Sequence, residues 1–517
     1  MPTRLLVIGL DAMDPSLIEH GVESGDLPAL ARLEREGTRY RLSNAMRSLP
    51  GAIWPEICTG RSVGSVGLFF HPHQLHTGES LPREVEAHEV DPTLDWWDVA
   101  GHAGRRVLVL DVPQTVPRPR TNVVHIADWG NHDRSWSPTS EPPAALDDAR
   151  ALVGDHPISQ CDELVRGGEL SAYVSLLDGL LDGIDRRTRL AEVLLGREHW
   201  DAAMVAFTES HCAGHQLWVF ADPTHPVALP ERPERLRGAI PEVYRAIDAG
   251  IGRLVAAAGP DTQVLVVASH GMGAYVGGYQ LVPEVLVRLG LRPRPHAGAA
   301  MLSRLPRSVR NWLRRVVPTR LRAHRNVLAG TLANHDLLSP RTKATAMPNN
   351  RCGAIRLNLR GREPKGRVEP GPEADAILSE LRRELTALTQ PGSGEPIVEL
   401  VATATELYGD AHHPDLPDLT VAFRTDLGRL EACESPRVGL VEMPLWPRAR
   451  RPNGWPKQLG RTGDHTVESR LWARAPGAVP GEQGTASVLD VAPTVLALLG
   501  VDIPEGIDGH AIVPTAP

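Results

Sequence analysis

The decapeptide ESHCAGHQLW, Glu209 to Trp218, places His211 and His215 four residues apart, directly behind the apolar run AAMVAF. On a helix that spacing turns both imidazoles to one face. There they could share a divalent cation through neutral ring nitrogens, or simply lie as two polar residues on an ordinary helix. Groups able to join such chemistry recur at Asp11 in GLDAMDP, His270 in VVASHGMG and His465 in RTGDHT. Glu209 and Asp464 adjoin them, either as hydrogen-bond partners that orient imidazoles or as solvated charges. Cys212, between the two histidines, points away from them on a helix and reads as a buried thiol. Asp14 reads as support for the turn after Asp11.

The elements that must position these groups are legible as continuous apolar runs. RLLVIGL ends at Asp11, and RRVLVLDVP, DAAMVAF and TQVLVVASH are of the same kind. None alternates with polar residues, as expected of strands covered on both faces of a parallel sheet. Helical patterns such as PEVYRAIDAGIGRLVAAAG lie between them. The fold class expected is therefore α/β, a doubly wound and mostly parallel sheet flanked by helices. Chemistry in such sheets collects beyond the carboxyl ends of the strands, and Asp11, His211 and His270 all fall at or just past such ends. Two helical insertions are expected, at 135–197 and 292–350. The second holds RLPRSVRNWLRRVVPTRLRAHR, an arginine cluster broken by Pro318. It could meet an anionic substrate, a membrane surface or nucleic acid, or form a solvated helical hairpin. VLDVAPTVLALLGV reads as a closing helix, and no internal repeat is present.

Composition narrows the class. The 517 residues are 42% hydrophobic, enough for a sizeable core, and the net charge of −8 gives no reason to expect nucleic-acid binding. Five scattered cysteines without a CxxC pair point to a reducing compartment. The N-terminal apolar run is too short for a secretory signal, and no stretch approaches the roughly 20 apolar residues of a membrane span. A soluble cytoplasmic protein is expected.

In chain order, GLDAMDP, GAIWPEICTG, ESHCAGHQLW, VVASHGMG, GAIRLNLRGREP, RTGDHT and VLDVAPTVLALLGVDIPEGIDG resemble the alkaline phosphatase superfamily, specifically its type I phosphodiesterase / nucleotide pyrophosphatase branch. The resemblance spans nearly the whole chain and implies one alkaline phosphatase-like domain over 1–517. It further implies two metal ions, usually zinc, bridged by substrate phosphate, and a threonine or serine that attacks phosphorus. Two ions about 4 Å apart stabilise both the entering and the leaving oxygen, and mixed imidazole and carboxylate ligands suit zinc. Carried over, the first metal falls to His211, His215 and His465, with His211 where the family has an aspartate. The second falls to Asp11, the nucleophile, Ser269 and His270. Ser269 replaces an aspartate there, and a neutral serine is a poor ligand. Pro50 stands at the nucleophile's position and has no hydroxyl. Ser48 is the nearest hydroxyl, Thr59 lies at the far end of the segment, and the family's His-Gly after its TG pair is Val66-Gly67.

The function expected is a metal-dependent hydrolase or transferase of a phosphoester or phosphodiester-type anion, with zinc at the three-histidine site and a weakened second site. Metal-bound water is then the attacking group, and Asp11 or His270 serves as general base or substrate contact. A repurposed mononuclear enzyme (a lyase, isomerase or biosynthetic catalyst) and a non-catalytic pseudoenzyme are the alternatives. A small anionic substrate is the expected partner. His71, His73 and His76 form a cluster that could hold a phosphate or a metal, or make a surface turn. His125 and His132 are candidates for the pocket mouth. Arg356 and Arg362 are candidates for an anion contact, in competition with an ion pair to Glu363.

Overall fold

The strand Leu5–Leu10 is buried at every residue, because equally apolar strands flank it. It pairs in parallel with Ala202–Phe207 and with Gln263–Ala268. Ala202–Phe207 pairs in parallel with Val107–Leu110, which pairs in parallel with Val123–Ala127. The four runs legible in the sequence are thus four adjacent strands of one sheet. From edge to edge its order is Gly481–Ser487, Thr38–Ser43, Ser469–Arg474, Gln263–Ala268, Leu5–Leu10, Ala202–Phe207, Val107–Leu110, Val123–Ala127 and Thr139–Glu141. Ser469–Arg474 and Thr139–Glu141 run antiparallel to their neighbours. The sheet is mixed but mostly parallel, as expected.

Alternate residues of the central strand feed two cores. Leu6, Ile8 and Leu10 meet apolar residues of the helices Leu170–Arg197, Glu209–Ala221 and Ala239–Ala258. Leu5 and Val7 meet those of Ile53–Thr59, Trp96–His102 and the closing helix Val491–Leu498. Each fully buried large apolar side chain contributes about 1.5–3 kcal/mol, and this double layer fixes the carboxyl ends of the strands.

This computed structural model describes residues 4–43, 53–69, 73–74, 77, 83–84, 94–130, 137–158, 161–165, 168–294, 341–347, 352–443, 455–456 and 459–512. The chain gathers into two compact units, one of residues 1–62, 87–275 and 446–517, the other of 63–86 and 276–445. The second unit has a core of its own. That core lies on a four-stranded antiparallel sheet, Ala344–Ala346, Gly353–Leu357, Leu419–Phe423 and Val398–Thr403. Of the expected insertions, 135–197 holds the strand Thr139–Glu141 and the helices Ala144–Val153, Cys161–Leu164 and Leu170–Arg197. The last lays Tyr173, Leu176, Leu180 and Ile184 into the main core. The arginine cluster of 292–350 lies outside the described residues.

Candidate metal centre

Three elements of the first unit carry the imidazoles. Asp11 follows the central strand, where Ala12 takes a φ of +55°, a left-handed turn costly for any side chain. His211 and His215 lie on the helix Glu209–Ala221, which starts two residues after the neighbouring strand ends. His465 lies on the short strand Gly463–Thr466, paired antiparallel with Gly271–Ala274 so that it stands opposite Met272. Helix and strand pack backbone to backbone, since a Cβ on Gly463 would lie 2.2 Å from the Gly214 carbonyl oxygen. Any larger residue at 463 would hold His215 and His465 apart.

The three rings converge. One ligand atom from each of His211, His215 and His465 falls within 4.8 Å of the other two. The Nε2 of His211 is 2.8 Å from His215 Nε2 and 2.7 Å from His465 Nε2. What stands behind each ring decides its tautomer. His215 Nδ1 lies 2.8 Å from the Gly463 carbonyl, which can only accept, so Nδ1 carries the hydrogen. His211 Nδ1 lies 2.7 Å from Asp11 Oδ2 and donates to that carboxylate. Both Nε2 atoms then turn lone pairs toward the same point, and the Arg461 guanidinium donates to that of His215, a place where positive charge already stands and an ion would take over the bond. The three-histidine set therefore fits a divalent ion. Burial, then the neighbouring His270, His215, His211 and Arg461, holds His465 well below its ordinary 6.5, keeping it in the neutral form that coordinates.

Burial alone would raise the Asp11 carboxyl. The electrostatic pull of the neighbouring His211 and His270 rings and the hydrogen bonds from His211 and Trp54 outweigh it, so Asp11 is held below its usual range. His270 is buried beside these groups, its ring 4.2 Å from that of His465 and its Nε2 3.8 Å from Asp11 Oδ1. Ser269 Oγ lies 3.4 Å from the same Oδ1.

Other candidates take structural places. Asp14 caps the helix Pro15–Ser24, accepting from the Ser16 and Leu17 amides. Cys212 sits in the main core. Asp464 accepts from the backbone N–H of His465 at 2.9 Å. Glu209 does not reach the imidazoles of the centre. It accepts from Arg187 Nε at 3.0 Å and lies 3.1 Å from His156, anchoring the first residue of the histidine helix. His125 is buried, 3.1 Å from Thr115 Oγ1, and burial followed by Arg118 lowers it to about 3. Thr59 donates to the Pro55 carbonyl at its own helix end. Arg356 and Arg362 are drawn into ion pairs with Glu363 and Asp418 in the second unit. Val66 and Gly67 also belong to that unit. Ser48, Pro50, His71, His76 and His132 lie outside the described residues, as does the side chain of His73.

Two groups at the centre went unweighed in the sequence. Trp54 donates from Nε1 to Asp11 Oδ1 at 2.9 Å, and the Arg461 guanidinium donates to His215 Nε2. Both lie in quoted motifs, but a tryptophan on an apolar helix reads as core and an arginine near a glycine reads as surface.

The sequence matches the model of the type I phosphodiesterase / nucleotide pyrophosphatase family over residues 5–428. No curated protein matches it directly. Among solved structures, the phosphonoacetate hydrolase of Sinorhizobium meliloti in complex with phosphonoformate is 11% identical, with a TM-score of 0.53, over 95% of this chain and 94% of the other. A variant of the alkaline phosphatase PafA is 12% identical, with a TM-score of 0.52, over 99% of both chains. Human ectonucleotide pyrophosphatase / phosphodiesterase 5 is 10% identical, with a TM-score of 0.49, over 97% and 96%. The fold is alkaline phosphatase-like, and the chain belongs to the type I phosphodiesterase / nucleotide pyrophosphatase family.

Proposed function

We propose that this hydrolase acts on a phosphoester or phosphodiester anion at a single three-histidine zinc centre, with water rather than a side chain as the nucleophile. The family supports metal-dependent hydrolysis of such esters. The observation that carries the reading is the convergence of His211, His215 and His465 with two Nε2 lone pairs turned inward. Zinc held there would polarise a phosphoryl oxygen and bring the pKa of water toward 7.

The chain's own groups divide the remaining work. With Pro50 at the family's nucleophile position, no hydroxyl is offered there. Ser210, near the centre, donates to the Asp11 carbonyl at 2.6 Å. To His270, buried against His465, we assign the task of taking a proton from attacking water. Asp11 is already engaged by His211 and Trp54. Arg461, which donates to His215 Nε2, would yield that lone pair to the ion and turn its charge to the ester's anionic oxygens. Five buried, scattered cysteines without a CxxC pair support action in a reducing cytoplasm.

The test is hydrolysis of bis(4-nitrophenyl) phosphate and 4-nitrophenyl phosphate by zinc-loaded protein. His215→Ala is expected to lose more than the about 10–100-fold typical of outer-shell changes. A chiral, isotopically labelled ester should show inversion at phosphorus. Net retention would mean a covalent enzyme intermediate and overturn the water mechanism.

A further inference from the structure

We infer that Trp54 occupies, as a hydrogen-bond donor, the face of Asp11 that a second cation would need. Asp11 then orients His211 instead of ligating metal, and the chain holds one ion. The inference rests on the three-histidine reading and goes beyond it by naming the device that aims one of the ligands.

Asp11 is 3% exposed, and both its oxygens already accept. Oδ2 takes the His211 Nδ1 hydrogen at 2.7 Å, and Oδ1 takes the Trp54 indole hydrogen at 2.9 Å with Ser269 Oγ at 3.4 Å. An indole N–H is a donor only and cannot face a cation. The residues offered to a second ion, Asp11, Ser269 and His270, therefore do not fit one. Asp11 keeps a single Oδ2 lone pair beyond these three bonds, and Ser269 is a neutral hydroxyl also within 3.3 Å of the Leu10 carbonyl, too little beside His270 to hold a divalent ion tightly.

Trp54 has a slot cut for it. A Cβ on Gly9, two residues before Asp11 in the central strand, would lie 2.5 Å from Trp54 Cη2 and 2.9 Å from Cζ3. Glycine inside a strand weakens it and marks a close approach, and what approaches here is the indole, itself 2% exposed. The ring is thus locked with its N–H on Oδ1. That fixes the carboxylate with Oδ2 on His211 Nδ1, and His211 is left with its Nε2 lone pair aimed at His215 and His465. A carboxylate behind a ligating imidazole sets its tautomer and raises its basicity. Trp54 is a positioning residue acting through Asp11.

The experiment measures zinc content and zinc affinity, by competition with a chromophoric chelator, and the visible spectrum of the cobalt(II) form. Wild type should hold one equivalent. Trp54→Phe keeps the ring and removes the donor; Asp11→Asn keeps the shape and removes the charge. Each should retain one equivalent, bind it about 10–100-fold more weakly and alter the cobalt bands. The double variant should be no weaker than Asp11→Asn alone, because Trp54 acts through that carboxylate. Additive losses, or a wild type with two tight ions of which Asp11→Asn loses one, would overturn this inference and leave the three-histidine centre standing. A wild type that binds no zinc would remove both.

Discussion

Each nitrogen at the centre is set by the group behind it, and those groups differ in how far the sequence reveals them. The four-residue spacing of His211 and His215, with their place behind an apolar run, is visible because a helix repeats every 3.6 residues. The Gly463 carbonyl behind His215 and the Trp54 indole behind Asp11 lie 248 and 43 residues away, at distances that no local pattern encodes. Asp14 gives a residue-scale test of the same electrostatics. Burial raises its carboxyl to about 6, against the hydrogen bonds it accepts from Leu17 and Met272. Because this lies above the ordinary 3.8, the folded state holds the proton more tightly. Its contribution to stability is full below about 3.8 and is lost as pH rises through about 6. Asp14→Asn keeps an oxygen for the Ser16 and Leu17 amides and gives up the longer bond from the Met272 N–H, to which it turns its NH2. In denaturant unfolding at pH 8 it should exceed wild type by up to about 3 kcal/mol, from two pK units at about 1.4 each, with the gap shrinking below pH 6. Equal stability at pH 8 would deny the cost of the buried charge.

At the scale of elements, the four central strands are readable because a strand buried on both faces must be apolar throughout. The strand Gly463–Thr466 is not, because its sequence, GDHT, carries no apolar signal and its pairing comes from contact with Gly271–Ala274. The edge strand Gly481–Ser487, largely exposed, is equally silent. The histidine helix is held at its start by a buried ionic network that links four segments. Arg187 Nη1 reaches Asp111 Oδ2 at 2.6 Å, its Nε reaches Glu209, and its Nη2 reaches the Gly130 carbonyl and Thr208 Oγ1. Removing one partner of such a network strands the others as buried charges. Arg187→Met should therefore cost about 3–5 kcal/mol in chemical denaturation, and zinc affinity should fall as Glu209 loosens. A neutral effect on both would reduce the network to filler. Gly463→Ala should keep the fold, as read by circular dichroism, but lower zinc affinity, because its Cβ meets the Gly214 backbone rather than a flexible side chain. Unchanged affinity would mean that the close approach does not set the centre.

At the scale of the whole molecule, the class of the sheet and the family are legible, and the division into two units is not. Near the boundaries at 275 and 446 the sequence does carry turn residues, Gly277-Gly278 and WPRARRPNGWP, but Gly and Pro recur throughout a chain with 48 and 46 of them and so single out no boundary. Among the described residues no helix is long and apolar enough to cross a membrane. A metal that binds only the folded chain stabilises it by mass action. Zinc at a hundred times its Kd should add about 2.7 kcal/mol, read as a rise in Tm that a chelator reverses and that His215→Ala lacks. The most direct measurement is zinc K-edge X-ray absorption on the loaded protein. Three imidazole nitrogens at about 2.0–2.1 Å, with no metal–metal vector near 4 Å, are expected; a site dominated by carboxylate or sulfur, or a clear zinc–zinc distance, would contradict the three-histidine centre with a single ion.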